Sequence, residues 1–425
     1  MHSKTVRGLS FIALLFLALF FYYPAHLVST VYVGTNQVSI TPPIGTPSAG
    51  YEKRQGRGME GVHDPLLATA MVIDNGEVLM AFCGVDHLGF THEMTQAVIQ
   101  KVQSDPLLAT CQVFIGSSHT HSGGGAYLDI PFIGEVLAGR FDPVITQFYI
   151  DQIAQAIISA GHAQQPAKIG IGYGTAKGLT AYRGAWPLQV NPLEEIAVIK
   201  ATTLDNTPLV VFFSYALHPT ILKYQNLEFS ADFVGYAREA LKELIGSDVQ
   251  PIYFNGAQGD LIPSLTKEGL ERLGFESSKE VGDSLAHAVK KVWDSITPLE
   301  TLKIEIQKKS YTFEPKATPQ NLKLPIESYA TEINLITFND RDAFITIPGE
   351  LSSVYEAIFK QKGEVLGYAH VSILGLVNDA HGYIILPESW RRKTFESTFS
   401  FGGEFYGDFV ESTVEGLMEK GAKHP

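Results

Sequence analysis

Six apolar runs rich in Val, Ile and Phe stop abruptly at residues that carry chemistry. They are "VDHLGFT" with Asp86 and His87, "SSHTHSGGG" with His119 and His121, and "SYALHPTIL" with His218. Further along come "FNGAQGDLIPS" from Asn255 to Ser264, "TIPGELSS" with Glu350, and "LVNDAHGYIILP" with His381 and Tyr383. Short runs of this composition read as buried strands. In layered α/β folds, reactive side chains gather at strand ends. The pattern supplies the candidates for a site, and their spacing leaves open which of them meet.

The segments between these runs set the fold class. Hairpins are expected at "LLATAMVID"/"EVLMAFCGVD" around Asn75-Gly76, at "IAVIKATTLDNTPLVVFFSYALHP", and at "EINLITFNDRDAFITIPGE" around Asn339-Asp340. "KIGIGYGTA" and "HVSILGLVND" read as further strands. Helical periodicity marks "TQAVIQKVQ", "PVITQFYIDQIAQAIISAGHA", "FVGYAREALKELIG", "SKEVGDSLAHAVKKVWDSI", "SSVYEAIFKQKG" and the C-terminus. The stretch "QVSITPPIGTPSAGYEKRQGRGMEGVHDPL" reads as extended loop because of its Gly and Pro content. Hairpins interleaved with helices predict an α/β fold of layered mixed β-sheets flanked by helices. Neither a sequence repeat nor a long linker divides it, so one domain is expected over residues 34–425.

The N-terminus is different. Lys4 and Arg7 precede "LSFIALLFLALFFYY", fifteen residues without a charge. This is the pattern of a signal anchor or signal peptide over residues 1–33, and it predicts a membrane-anchored or secreted protein with its body on the extracytoplasmic side. The whole chain is 45% apolar and 18% charged, enough to build a large core, and its net charge of -13 argues against nucleic acid as a partner. Cys83 and Cys111 sit at strand-like positions and read as buried free thiols, with a disulfide left open. Two cysteines cannot build a four-thiolate zinc site, so a metal here must use histidine and carboxylate.

His119 and His121 are spaced i and i+2, so on an extended segment they share a face. Both can bind a metal, or one can bind it while the other serves substrate or water. The glycines that follow imply close approach of something, and a substrate is the expected visitor. Glu350 emerges from the apolar run "DAFITIPG", where a carboxylate is costly unless paired or metal-bound. Histidine, histidine and carboxylate suit Zn²⁺. The nucleophile elbow G-x-S-x-G, the phosphate loop, the dinucleotide fingerprint and H-E-x-x-H are all absent.

Taken in order, several segments resemble those of the neutral/alkaline non-lysosomal ceramidases. "SITPPIGTPSAGY" and "EGVHDPLLATAMVID" are similar to that family's opening, and "SSHTHSGGG" to its T-H-T-H-S-G-P motif. "FSADFVGYA" resembles S-A/G-D-x-x-G-Y-A, "IPGELSS" resembles P-G-E-F-T-T, and "NDAHGYI" resembles N-x-Y-x-x-Y-I. "TFESTFSFGG" resembles Y-E-A-A-S-T-x-x-G. These matches run from Ser39 to about Gly403. The resemblance implies one zinc ion on His119, His218, Glu350 and Tyr383. It implies His121 as a neighbouring acid/base imidazole and Arg183, in "AYRGAW", as a residue lining the active site. It further implies hydrolysis of an amide in ceramide or a related N-acyl lipid.

Three departures bear on that expectation. The family's G-D-V-S-P-N serine is replaced by Ile262 in "GDLIPS", and Ser264 lies two residues away. No segment resembles the family's C-terminal immunoglobulin-like domain, and "HTHSGGG" lacks the proline after the first glycine. The departures leave two alternatives: a zinc hydrolase of the same fold acting on another amide or ester, and a non-catalytic lipid-binding envelope protein.

Overall fold

The computed structural model describes residues 30–184, 192–266 and 272–422. The N-terminal apolar segment expected to be an anchor or signal peptide lies almost wholly outside the described residues. Among the described residues no helix is long and apolar enough to cross a membrane.

The fold repeats one topology three times. In the first unit β1 (Tyr32–Ser39), β2 (Leu67–Asp74) and β3 (Leu79–Val85) pair antiparallel in chain order. The chain then crosses through α1 (His92–Gln103) to β4 (Gln112–Ser117), which lies parallel to β3. A parallel partner requires such a crossover. Helix α2 (Pro143–His162) then packs on β1 and β2 and beside α1.

The second unit uses β5 (Gln165–Thr175), β6 (Glu195–Thr203) and β7 (Pro208–Tyr215), crosses through α3 (Phe233–Ile245) to the parallel β8 (Gln250–Asn255), and adds α4 (Phe275–Ser295). The third uses β9 (Ile304–Phe313), β10 (Tyr329–Phe338) and β11 (Asp342–Thr346), crosses through α5 (Ser353–Leu366) to β12 (His370–Leu374), and adds α6 (Tyr406–Gly421). Units one and two join through a short β1–β5 pairing into an eight-stranded sheet of order β8-β7-β6-β5-β1-β2-β3-β4. The third unit forms its own four-stranded sheet. The expected layered α/β class is what the chain adopts.

The three units meet around an aromatic core. Phe82 and Phe114 from unit one pack with Phe212 and Phe254 from unit two, and Phe212 touches Phe344 of unit three. β8 closes over β3 and β4 because two strand positions there are glycine. A Cβ on Gly84 would stand 2.6 Å from the Tyr253 carbonyl oxygen, and one on Gly116 2.3 Å from the Phe254 ring. That closure gathers strand ends from all three units at one side of the core.

The structure corrects the expected loop at its start. The residues from Tyr32 to Ser39 form β1 and pair along their whole length with β2. The body therefore begins before residue 34, and Gln37–Ser39 is strand. Its period-two signal is short and abuts the N-terminal apolar run, which masks it. β9 carries little strand signal in the sequence, because its Lys308 and Lys309 face solvent at the edge of its sheet. Both cysteines are buried free thiols.

Candidate active site

Each unit delivers one member of a buried cluster. His119 follows β4, His218 follows β7 and Glu350 follows β11. Asn255, at the end of β8, ties the first two loops together. Its side-chain amide donates to the carbonyls of Ser118 (3.0 Å) and Leu217 (3.1 Å). His119 itself takes a positive φ of 68° at the strand end, which turns its ring inward.

The proton placement in the cluster follows from its partners. A carbonyl oxygen can only accept, so a ring nitrogen facing one must carry hydrogen. His119 donates from Nδ1 to Leu88 O (2.6 Å), and His218 from Nδ1 to Leu261 O (2.7 Å). Both Nε2 lone pairs then face the same carboxylate oxygen. Glu350 Oε2 is 3.2 Å from His119 Nε2 and 2.9 Å from His218 Nε2. Burial alone would raise the Glu350 carboxyl, but the two imidazoles, His119 foremost, hold it well below the usual carboxylate range. Burial, with the Arg183 guanidinium beside it, drives His218 down to about 4. His119 Nε2, His218 Nε2 and Glu350 Oε2 thus converge, all within 4.8 Å of one another. Carbonyl-anchored imidazoles converging on a carboxylate are the arrangement that metal ligands adopt. The group could hold a metal ion.

Tyr383 stands beside Glu350. The short strands Glu350–Leu351 and Tyr383–Ile384 pair in parallel with Glu350 opposite Tyr383. Its ring centre is 6.3 Å from that of His218, and burial raises the phenol so that it stays neutral. Arg183 donates from Nη2 to His218 Nε2 (3.1 Å) and from Nη1 to Glu396 Oε1 (2.8 Å) and Gly259 O (3.1 Å). His121 donates from Nδ1 to Gly50 O (3.1 Å), and its buried Nε2 has no protein partner. Burial, reinforced by His119 and His218, lowers its pKa well below the ordinary value. It is therefore a neutral imidazole with a free lone pair, and its ring centre lies 4.9 Å from that of His119.

All six residues line one cavity of about 1380 Å³. Its other walls are mainly apolar and include Phe90, Met94, Leu128, Ile133, Ile150 and Leu324. Ile262 is also on the wall. Ser264 is not: its hydroxyl is exposed and donates to Gly178 O (2.7 Å). The hydroxyl expected across the site is therefore not restored by its neighbour.

Other candidates fall outside the cluster. Asp86 forms a buried ion pair with Arg238 (2.7 Å) and accepts from Leu67 N–H (2.8 Å). His87 is wedged between Phe90 and Tyr127 and donates to Gly89 O (2.8 Å). His381 bonds Asp379 and the Tyr406 hydroxyl. The glycines after His121 admit protein rather than substrate. A Cβ on Gly124 would meet the Tyr149 hydroxyl at 2.0 Å, and one on Gly125 the Ala138 carbonyl at 2.3 Å.

Two supports of the site carry no signal in the sequence. Glu396 fixes Arg183 from within "TFESTFSFGG", a stretch whose carboxylate gave no separate signal. Asp260 accepts from Ser352 Oγ (2.6 Å) and Ser353 N–H (2.9 Å), just after Glu350. Its own carbonyl accepts from Arg183 N–H (2.9 Å), and its neighbours' carbonyls hold the Arg183 and His218 side chains.

Fold and site together define an α/β protein with a buried two-histidine, one-carboxylate group opening on a large apolar cavity. The chain belongs to the neutral/alkaline non-lysosomal ceramidase family, whose N-terminal profile matches residues 32–253. It is 28% identical over 229 residues to neutral ceramidase A of Dictyostelium discoideum, covering 49% of this chain and 31% of that protein. It is 26% identical over 274 residues to neutral ceramidase of Drosophila melanogaster, covering 59% and 37%. The chain thus spans about a third of the length of the curated relatives it matches. The crystal structure of neutral ceramidase from Pseudomonas aeruginosa superposes with a TM-score of 0.80 at 14% identity, over 92% of this chain and 74% of that one. At that identity the likeness speaks to the fold.

Proposed function

We propose that this protein is a zinc-dependent amidohydrolase that cleaves the amide bond of ceramide or a related N-acyl lipid. The observation that carries the reading is the mutual approach of three acceptor atoms, His119 Nε2, His218 Nε2 and Glu350 Oε2, beside an apolar cavity large enough for acyl chains. Family membership supports the substrate class. The donor set fits zinc, with Tyr383 as a fourth ligand. Bound there, zinc supplies a Lewis acid for the amide carbonyl and an acidified water.

The chain's own residues supply the rest. His121 Nε2 is neutral and unpaired in the same cavity as the cluster, so it accepts a proton from the attacking water and returns it to the leaving amine. Arg183, braced by Glu396, orients the substrate over Tyr383. The apolar walls hold the acyl chain and exclude bulk water, which strengthens every charge interaction inside. The N-terminal segment, with Lys4 and Arg7 ahead of its apolar run, holds this domain at a membrane on the extracytoplasmic side.

One observation favours a second reading. Ile262 lines the cavity and Ser264 faces away from it, so the substrate meets an apolar wall where the family places a hydroxyl. A different amide or an ester would suit that wall. The experiment is a panel of ceramides, N-acyl amino acids and simple esters on zinc-loaded protein and its His119→Ala variant. Ceramide cleavage abolished in the variant supports the first reading. Cleavage confined to the other amides or esters selects the second, and cleavage undiminished by His119→Ala overturns both.

A further inference from the structure

Arg54 is a buried guanidinium with no carboxylate partner among the described residues. It lies in a single 3-10 turn, Glu52–Arg54, and is only 5% exposed. Burial lowers its pKa to about 10, which still leaves it charged at neutral pH. An unpaired buried cation is costly. Here neutral acceptors from three segments surround it instead.

Nη1 donates to the His121 carbonyl and to the Ser48 hydroxyl. Nη2 donates to Lys223 O (3.0 Å) and approaches Ser122 Oγ at 3.5 Å, while Nε donates to Tyr224 O (3.3 Å). Its guanidinium also lies 5.1 Å from the centre of the Tyr51 ring, which in turn lies 4.7 Å from the His121 ring. The Gly50 carbonyl that receives the His121 Nδ1 proton belongs to the same segment. Arg54 therefore ties together the backbone of His121, the loop after His218 and the segment that faces the His121 ring.

The anchoring of His119 is separate. His119 N–H donates to His87 O (2.9 Å), Ser118 N–H to Val85 O (2.8 Å), and the His119 ring to Leu88 O, so the end of β3 holds it. The two histidines are one residue apart yet are fixed by different parts of the molecule.

We infer that Arg54 is a positioning residue that sets the orientation of the His121 ring and leaves the metal-ligating group untouched. This rests on the proposed amide hydrolysis only for its kinetic readout. The planar guanidinium offers five N–H donors in a fixed fork, enough for these four acceptors, whereas an ammonium offers three from one point. Lysine keeps the charge and loses that geometry.

The test compares zinc-loaded full-length wild type with Arg54→Met and Arg54→Lys in three measurements. Zinc affinity by chelator competition is expected to change by less than about threefold. The rate of His121 carbethoxylation by diethyl pyrocarbonate, located by mass spectrometry, is expected to rise about tenfold or more in Arg54→Met, with His218 still protected. The kcat for amide cleavage is expected to fall about 100-fold at similar KM, as small displacements of a proton-transfer group produce. Added guanidinium ion is expected to restore part of the kcat in Arg54→Met. The inference is overturned if His121 stays as protected as in wild type, or if zinc affinity falls in step with activity. Wild type that cleaves no amide refutes the proposed reaction, and the His121 labelling still decides the role of Arg54.

Discussion

Two histidine–carboxylate clusters line the same cavity, and they balance their protons differently. In the first, His119 and His218 hold their Nδ1 atoms on backbone carbonyls and turn their Nε2 atoms on Glu350. In the second, His381 meets Asp379 at 3.0 Å through Nε2 and the Tyr406 hydroxyl at 2.7 Å through Nδ1. Asp379 also accepts from Ala380 N–H (2.9 Å), from the Tyr329 hydroxyl and from Thr331 Oγ1 (both 3.3 Å). The His381 ring stacks on Phe313 with centres 3.7 Å apart. Every polar atom of that set named here has a protein partner of the right kind. One cluster is complete within the chain, and the other could hold a metal ion. Histidine and acid in proximity is thus a poor criterion for a metal site, whereas the direction of the second ring nitrogen is a good one.

The contrast is broken most severely by removing a member of the first cluster. Glu350→Gln is expected to abolish stoichiometric zinc binding and to lower amide cleavage by about 1000-fold or more, measured by metal analysis and kinetics. Asp379→Asn tests the other side. It should leave zinc content at the wild-type level while lowering stability by about 3 kcal/mol in denaturant unfolding, because buried donors lose a charged acceptor. If Asp379→Asn also strips the metal, the two clusters are one site.

The support under Glu350 gives an intermediate effect. Asp260→Ala removes the acceptor for Ser352 and Ser353 and is expected to weaken zinc affinity about 10–100-fold. Asp260→Asn can still accept from Ser353 N–H and donate to Ser352 Oγ, so its loss should be much smaller. Equal losses would mean that charge, not geometry, is what Asp260 provides.

His87 supplies a third kind of histidine, buried among aromatics beside neither cluster's carboxylate. Burial lowers its pKa to about 4, against 6.5 when exposed. The unfolded chain therefore takes up a proton at pH values where the folded one does not. Its contribution to stability is complete above about pH 6.5 and is lost as pH falls toward 4, by about 3 kcal/mol at most. Unfolding of the metal-free protein across that range should show this slope together with those of His121 and His218, and His87→Phe should make it shallower without abolishing it. The smallest effect belongs to Ser264→Ala, expected within about twofold of wild-type activity, since its hydroxyl serves only a surface turn.

Much of this site was legible in the sequence as strand ends. His119, His218 and Glu350 stood out because apolar runs that stop at ionisable residues are costly without a purpose. Their meeting was not legible, since it depends on three units of one topology closing on a shared aromatic core, and the units share no visible sequence repeat. The hairpins at Asn75-Gly76 and Asn339-Asp340 were readable because turn chemistry is local. β1 was hidden by the apolar segment before it. Arg54, Asp260 and Glu396 gave no signal, because a buried charged residue looks in sequence like any surface one. The glycines after His121 signalled close approach correctly, but the visitors are Tyr149 and the Ala138 carbonyl.

The most direct test of the central claim is zinc titration of the purified full-length chain against a chromophoric chelator, with wild type beside Glu350→Gln. The account predicts one tightly bound zinc per wild-type chain and an affinity loss of about 1000-fold or more in the variant. Wild type that binds no zinc, or a variant that binds it as tightly, would contradict it.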